Sequence, residues 1–241
     1  MSNSFTPRFE ILPEQQKKLW PELALTKDLG FVLYGGTAIA LQLGHRQSID
    51  FNFFSDIELN EQTLFRSLPF LKEAKVTQQE ENTLSFEYVN HQENTPVKLS
   101  FFGGIGFGRV GEPLITEDKV LVVANLKDLL ATKLATVMSR IEIKDYLDIA
   151  ALIKHGLSLE EGLEHTALLY DQSFTPLWCL KTLIYFDEPK LKNIPEHVKD
   201  TLIKECEKVN LDSVRTDLSP NLLTSHLSNF HELENDKNME R

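Results

Sequence analysis

The stretch Tyr34 to Phe54, YGGTAIALQLGHRQSIDFNFF, decides how the chain is read. A short apolar run, Phe31 to Tyr34, leads into the glycine pair Gly35-Gly36. Thr37 to Leu43 then has helical character, and Ile49 to Phe54 has the composition of a strand. Strand, glycine turn, short helix and strand make a compact unit suited to gripping a phosphate. Glycine lets the backbone come close to a ligand, and the first amides of a helix lack internal partners and attract anions. Side chains alternate along a strand, so Asp50, Asn52 and Phe54 share one face, and Ile49, Phe51 and Phe53 are expected to face the core. Two acids at positions i and i+2 of such a strand would hold Mg²⁺ through oxygen ligands. Here the pair is one carboxylate, Asp50, and one amide, Asn52, whose oxygen can ligate a cation but adds no charge.

Working outward, Pro13 to Thr26 reads as a helix interrupted at Pro21, with Gly30 as a C-cap. Asn60 caps a further helix from Gln62 to Leu68, before Pro69. Lys75 to Gln79, Thr83 to Val89 and Val97 to Phe102 are strands, with Asn90 to Pro96 a loop between two of them. Gly106 to Gly111 spells GxGxxG, but Glu112-Pro113-Leu114 follows as extended chain. A dinucleotide site needs a helix there, so a loop or bulged hairpin is the better reading. After a short strand at Val120 to Val123 the chain turns helical. Asn125 caps a helix to about Met138, with Asp128 in its first turn. Asp145 to Lys154 follows, ended by Gly156, and Ser158 with Glu161 opens a third helix. Pro176 to Tyr185 and Pro195 to Val209 complete the set, and the polar tail from about Glu232 is expected to fray.

Lys133 lies on the apolar stripe of Leu126, Leu129, Leu130, Leu134 and Val137. An ammonium there either snorkels to the surface or enters a pocket that wants positive charge. Asp145 and Asp148 lie one helical turn apart. They read equally as site acids or as an intrahelix charge network with Arg140 and Lys144. Arg46 reads as a bidentate phosphate clamp or as an ordinary loop arginine.

Tyr34-Gly35-Gly36 followed by Asp50-Phe51-Asn52-Phe53 resembles the signature of polymerase-β-like nucleotidyltransferases. GGTA, GHRQS and the order of segments from about Phe31 to Phe186 are closer still to the AbiEii/AbiGii toxins of type IV toxin–antitoxin systems. The resemblance implies transfer of a nucleoside monophosphate from an NTP to an acceptor such as a tRNA end, with Mg²⁺ as cofactor and a cognate antitoxin as partner. It implies Asp50, Lys133 and Asp145 as catalytic residues and Gly35, Gly36, Thr37, Arg46 and Lys98 as phosphate contacts. Asp50, with Asn52 as a weak second ligand, would hold the metal. Two acidic positions of the pattern are neutral here: Asn52, and Ser100 in the stretch Lys98-Leu99-Ser100. Ser139 replaces an asparagine of the pattern. Glu87 and Asp56 are fallback acids. The alternative is a fold retained without its chemistry, as an inactive nucleotide-binding or protein-partner module.

The composition sets outer bounds. At 241 residues with 41% apolar content, the chain can build a proper core. A formal charge of −11 and a pI near 5.1 argue against broad, sequence-independent grip on nucleic acid. Two distant cysteines, Cys179 and Cys206, suggest reduced thiols rather than a disulfide or zinc scaffold. MSNSFTPRFEIL lacks the core of a signal peptide, and no apolar run approaches the roughly 20 residues that span a bilayer. A cytoplasmic protein is expected. The fold expected is α+β: a mixed sheet with flanking helices over residues 1–124, and a helical part over 125–241 that closes its cleft.

Overall fold

The computed structural model describes residues 3–89, 96–170 and 174–214. Eight strands form one mixed sheet: β1 (Ser4–Phe5), β2 (Val32–Tyr34), β3 (Asp50–Phe54), β4 (Lys75–Glu80), β5 (Thr83–Tyr88), β6 (Val97–Phe102), β7 (Leu114–Thr116) and β8 (Val122–Val123). Their order is β1-β7-β8-β2-β3-β6-β5-β4. β3 lies between β2, antiparallel to it, and β6, parallel to it. The helices are α1 (Glu14–Leu19), α2 (Gly35–Leu43), α3 (Glu61–Ser67), α4 (Leu126–Ser139), α5 (Ile143–Lys154), α6 (Leu159–Tyr170), α7 (Pro176–Ile184) and α8 (Glu196–Lys208). The architecture is the expected α+β one.

One face of the central strands builds the aromatic core. Phe51 and Phe53 are fully buried, and Phe53 stacks on Phe101 with centroids 5.1 Å apart. Phe31 meets Phe101 edge-on at 5.3 Å. Trp20 from the 3₁₀ turn at Trp20–Thr26 and Phe65 from α3 cover this face. The other face, carrying Asp50, Asn52 and Phe54, is left to the cleft. Among the described residues one buried apolar cluster runs from the sheet into α4–α8, across the expected division between β8 and α4.

Local signals set most boundaries. Asn60 and Asn125 cap α3 and α4, accepting from the amides of Thr63 and Lys127. Pro21 sits where α1 gives way to the 3₁₀ turn. Ser158 Oγ accepts from the Glu161 amide at the start of α6.

Two expectations need correction. Ile49 does not face the core; it is 48% exposed, because β3 begins at Asp50 and alternation holds only within the paired strand. Gly35 and Gly36 are not a turn ahead of the helix but its first two residues, and Gly35 takes φ +77°. The loop at Asn90 to Pro96 (save Pro96) and the tail from Glu232 lie outside the described residues. No described helix is long and apolar enough to cross a membrane, and neither cysteine is in a disulfide.

Candidate active-site cleft

Strands β3 and β6 run in register, pairing Asp50 with Lys98, Asn52 with Ser100 and Phe54 with Phe102. From these rungs Asp50, Asn52, Phe54, Lys98 and Phe102 form the floor of a cleft of about 750 Å³. The N-terminus of α2 and the far end of α4 supply its walls, with Gly35, Gly36, Lys133, Ser139 and Arg140 among the lining residues. Five basic side chains line it, namely Arg46, Lys98, Lys133, Arg140 and Lys144, against one carboxylate, Asp50.

Behind the basic wall lies a buried ionic network. Asp145 and Asp148, both fully buried, project from α5. Lys133 Nζ bonds Asp145 Oδ1 at 2.6 Å and Asp148 Oδ2 at 2.7 Å. Arg46 forks onto Asp148, Nε to Oδ1 at 2.6 Å and an Nη to Oδ2 at 2.8 Å. His45 Nε2 also donates to Asp148 Oδ1, at 2.7 Å, and Arg140 Nε donates to Asp145 Oδ2 at 3.1 Å. Burial alone would raise the Asp148 carboxyl; the bonds from His45 and Arg46 and the charges of Lys133 and Arg46 outweigh it and hold it well below the usual carboxylate range. Arg140 loses by partial burial but gains more from Asp145, Glu142 and Asp50, so its pKa rises.

This arrangement explains Gly36. A Cβ there would collide with the Arg46 guanidinium and come 3.3 Å from Asp148 Oδ2. The glycine makes room for the Arg46–Asp148 pair. At Gly35, a Cβ would meet the Asn52 amide nitrogen at 3.0 Å.

The structure brings most of the anticipated site residues together. Asp50, Asn52, Gly35, Gly36, Arg46, Lys98 and Lys133 all line the cleft. Thr37 does not: it is fully buried, and its hydroxyl donates to the Asp50 carbonyl at 2.6 Å and shares a hydrogen bond with Ser48 Oγ at 2.8 Å. Asp145 sits one layer back, behind Lys133 and Arg140. The local network with Lys144 does not form, since Lys144 pairs with Glu142 at 3.0 Å instead. Asp148 and His45 were the residues sequence reasoning underweighted. Their partners lie about a hundred residues apart, and only the unusual density of charge in HR and KDYLD hinted at them.

Asp50 has spare ligating capacity on the cleft floor. Its Oδ1 is buried with no hydrogen-bond partner, and Asn52 projects from the same strand face two residues on. That pair fits one hard cation whose remaining ligands are phosphate oxygens and water. It does not fit two ions: Ser100 is neutral and bonded to Ser85 at 2.9 Å. Among the described residues no group of three or more His, Cys, Asp or Glu side chains could hold a metal.

The glycine-rich segment serves the fold here. The Asp128 carboxylate accepts the backbone amides of Val110 at 2.8 Å and Gly111 at 2.9 Å. Burial raises Asp128 to about 6, and these bonds oppose the rise without cancelling it. β7, not a helix, follows the segment.

Residues 23–223 match the family described as nucleotidyl transferase AbiEii toxin, type IV TA system. The chain belongs to that AbiEii family. An uncharacterized protein of Aquifex aeolicus is 28% identical over 180 residues, spanning 73% of this chain and 84% of its own. Two solved structures are similar. MenT4, a nucleotidyltransferase toxin of Mycobacterium tuberculosis, superposes with a TM-score of 0.59 at 14% identity, over 82% of this chain and 84% of its own. A protein of H. pylori, itself only provisionally assigned as a nucleotidyltransferase, gives 0.54 at 18% identity over 81% and 94%. At these identities the likeness is one of fold: this AbiEii chain has the architecture of nucleotidyltransferases.

Proposed function

We propose that the cleft binds a nucleoside triphosphate by its phosphates and transfers the nucleoside monophosphate to an acceptor hydroxyl, with the end of a tRNA as the acceptor to test first. The observation that carries this reading is the concentration of five basic side chains around one free carboxylate, in a chain whose formal charge is −11. A polyanion with an associated cation is the ligand such a site suits.

Lys98, Lys144 and Arg140 meet the phosphates at the charged rung, and the unpaired amides at the start of α2 add donors. Lys133 and Arg46 carry charge into the same wall, held in place by Asp145 and Asp148. Even counting those two aspartates, basic groups outnumber acidic ones. Asp50, with the Asn52 amide oxygen beside it, would hold one Mg²⁺. Bound there, the ion would screen the phosphates and polarise the phosphoryl group under attack. A cognate antitoxin is the protein partner that goes with this reading.

A second reading rests on a specific observation. With Asn52 and Ser100 neutral, the described cleft carries no second carboxylate to act as general base. The same pocket would then bind nucleotide without transferring it. Incubation with each α-labelled NTP, Mg²⁺ or Mn²⁺ and total tRNA separates the two. Transfer predicts labelled RNA that vanishes in Asp50→Ala. Nucleotide binding without label on RNA under either metal supports the binding-only reading.

A further inference from the structure

The floor of the cleft changes character along its length. Its first rung, Asp50 and Lys98, is charged; its second, Asn52 and Ser100, is polar; its third, Phe54 and Phe102, is aromatic. Four residues of strand separate the first rung from the third, roughly 13 Å, which is about the span of an extended nucleoside triphosphate. Arg140, Lys144 and Lys133 gather at the charged end, where Arg140 feels the charge of Asp50. The aromatic end is completed by Tyr34 and Tyr170, which also line the cleft.

The aromatic end is built as a unit. Tyr34 stacks on Phe54 with centroids 4.9 Å apart and planes 16° from parallel. Phe102 meets Phe54 edge-on at 5.1 Å. Phe107, from the glycine-rich segment, closes the back, 6.0 Å from Phe54, 6.4 Å from Tyr34 and 5.3 Å from Tyr170. That segment is pinned by Asp128, whose charge bears on both Tyr34 and Tyr170. Tyr34 is buried behind Phe54, so the ring surface that reaches the cleft belongs to Phe54, Phe102 and Tyr170. Phe54, Phe102 and Tyr170 are only partly buried and line the cleft.

Resting on the nucleotide reading above, we infer that the Phe54–Phe102–Tyr170 end is a nucleobase subsite, which holds the base by stacking while the charged rung holds the phosphates. The glycine-rich segment shapes this subsite from behind through Phe107. Stacking on aromatic side chains is tolerant of base identity, because every base has a π face.

The test compares two ligands that share phosphates and differ in the base. The full chain is titrated calorimetrically with ATP and with inorganic tripolyphosphate, both with Mg²⁺. Wild type should bind ATP at least about tenfold more tightly than tripolyphosphate. Phe54→Leu and Tyr170→Leu should each lose most of that preference while their tripolyphosphate affinity stays within about twofold, which also shows that the variants are folded. Independently of any variant, 2-aminopurine riboside triphosphate should be quenched on binding wild type. Equal wild-type affinity for ATP and tripolyphosphate, an ATP preference that survives both substitutions, or unquenched bound 2-aminopurine each overturns the subsite. Absence of binding by either polyphosphate overturns the nucleotide reading itself, and the subsite with it.

Discussion

The two walls of the cleft use carboxylates in opposite ways. On the helical wall, Asp145 and Asp148 are fully buried and saturated by Lys133, Arg46, His45 and Arg140. On the sheet wall, Asp50 keeps an oxygen with no partner, and the next rung carries an amide, Asn52, and a hydroxyl, Ser100. The helical wall spends its acids on holding cations still; the sheet wall leaves its acid free for something from outside. Buried carboxylates are thus no measure of catalytic capacity. What matters is whether their oxygens are already taken.

The largest expected effect follows from breaking the helical wall. Asp148→Ala would leave the half-buried Arg46 without its carboxylate partner and the buried Lys133 with Asp145 alone. Removing one partner of such a pair costs about 3–5 kcal/mol. Urea unfolding should show a loss of that size, whereas Asp50→Ala should change stability by less than about 1 kcal/mol, since it removes a buried carboxylate oxygen that has no hydrogen-bond partner to lose. Equal losses in the two variants would erase the distinction between the walls.

The next effect is a contrast of sign in pH dependence. Asp148 is depressed, so its contribution is present above the ordinary aspartate pKa and is lost as pH falls through that value toward its folded one. Asp128 is raised from 3.8 to about 6, so its contribution is full below 3.8 and is lost as pH rises through about 6. A shift of that size corresponds to an order of 3 kcal/mol between the two limits. Asp128→Asn cannot accept both the Val110 and Gly111 amides and should be less stable at acid pH. Its melting temperature should nevertheless fall less than wild type between pH 4.5 and pH 7. A wild-type profile that rises over that window, with Asp128→Asn parallel to it, would show that Asp128 is not the titrating group.

How far these walls could be read beforehand depends on the range of the interactions. The alternation in Asp50 to Phe54 and the caps Asn60 and Asn125 are local, and each is legible to within a residue or so. The register that sets Asn52 beside Ser100 was not read beforehand, because strand composition carries no mark of which strands pair. Ile49 was misplaced because alternation carries no mark of where pairing starts. The Gly35-Gly36 pair was read as room for a ligand, and for Gly36 the occupant is Arg46. The His45–Asp148 and Lys133–Asp145 bonds join the chain across separations that no helical spacing encodes. For the same reason the aromatic end was invisible: Phe54, Phe102, Phe107 and Tyr170 come from four separate segments.

A smaller effect sharpens the role of Gly36. Gly36→Ala places a methyl group where the Arg46 guanidinium lies, so Arg46 must leave Asp148 or the start of α2 must shift. Overpacking of this kind costs typically 1–3 kcal/mol. Combining it with Arg46→Ala should recover part of the loss, since the obstruction is then gone. Strict additivity in the double-mutant cycle would mean that the two residues do not meet.

The smallest effect in free energy is the most pointed for function. Asn52→Asp with Ser100→Asp gives the sheet wall two further acids beside Asp50. The register sets both new carboxylates on the rung next to Asp50, on the sheet face that carries it by strand alternation. A unit charge about 4 Å from a cation is worth roughly 4 kcal/mol at an effective dielectric of about 20, before desolvation. If only a quarter of this survives, Mg²⁺ binding tightens several-fold. Without metal, the three acids repel one another and the protein should melt at a lower temperature. Adding Mg²⁺ should then raise the melting temperature of the double variant by more than that of wild type, and ATP should widen the gap. The helical wall supplies the control: Asp145 and Asp148 are already saturated, so their network should not respond to the ion. Should Mg²⁺ stabilise wild type and double variant alike, the sheet wall is not where the cation binds, and Asp50's unpaired oxygen answers to something else.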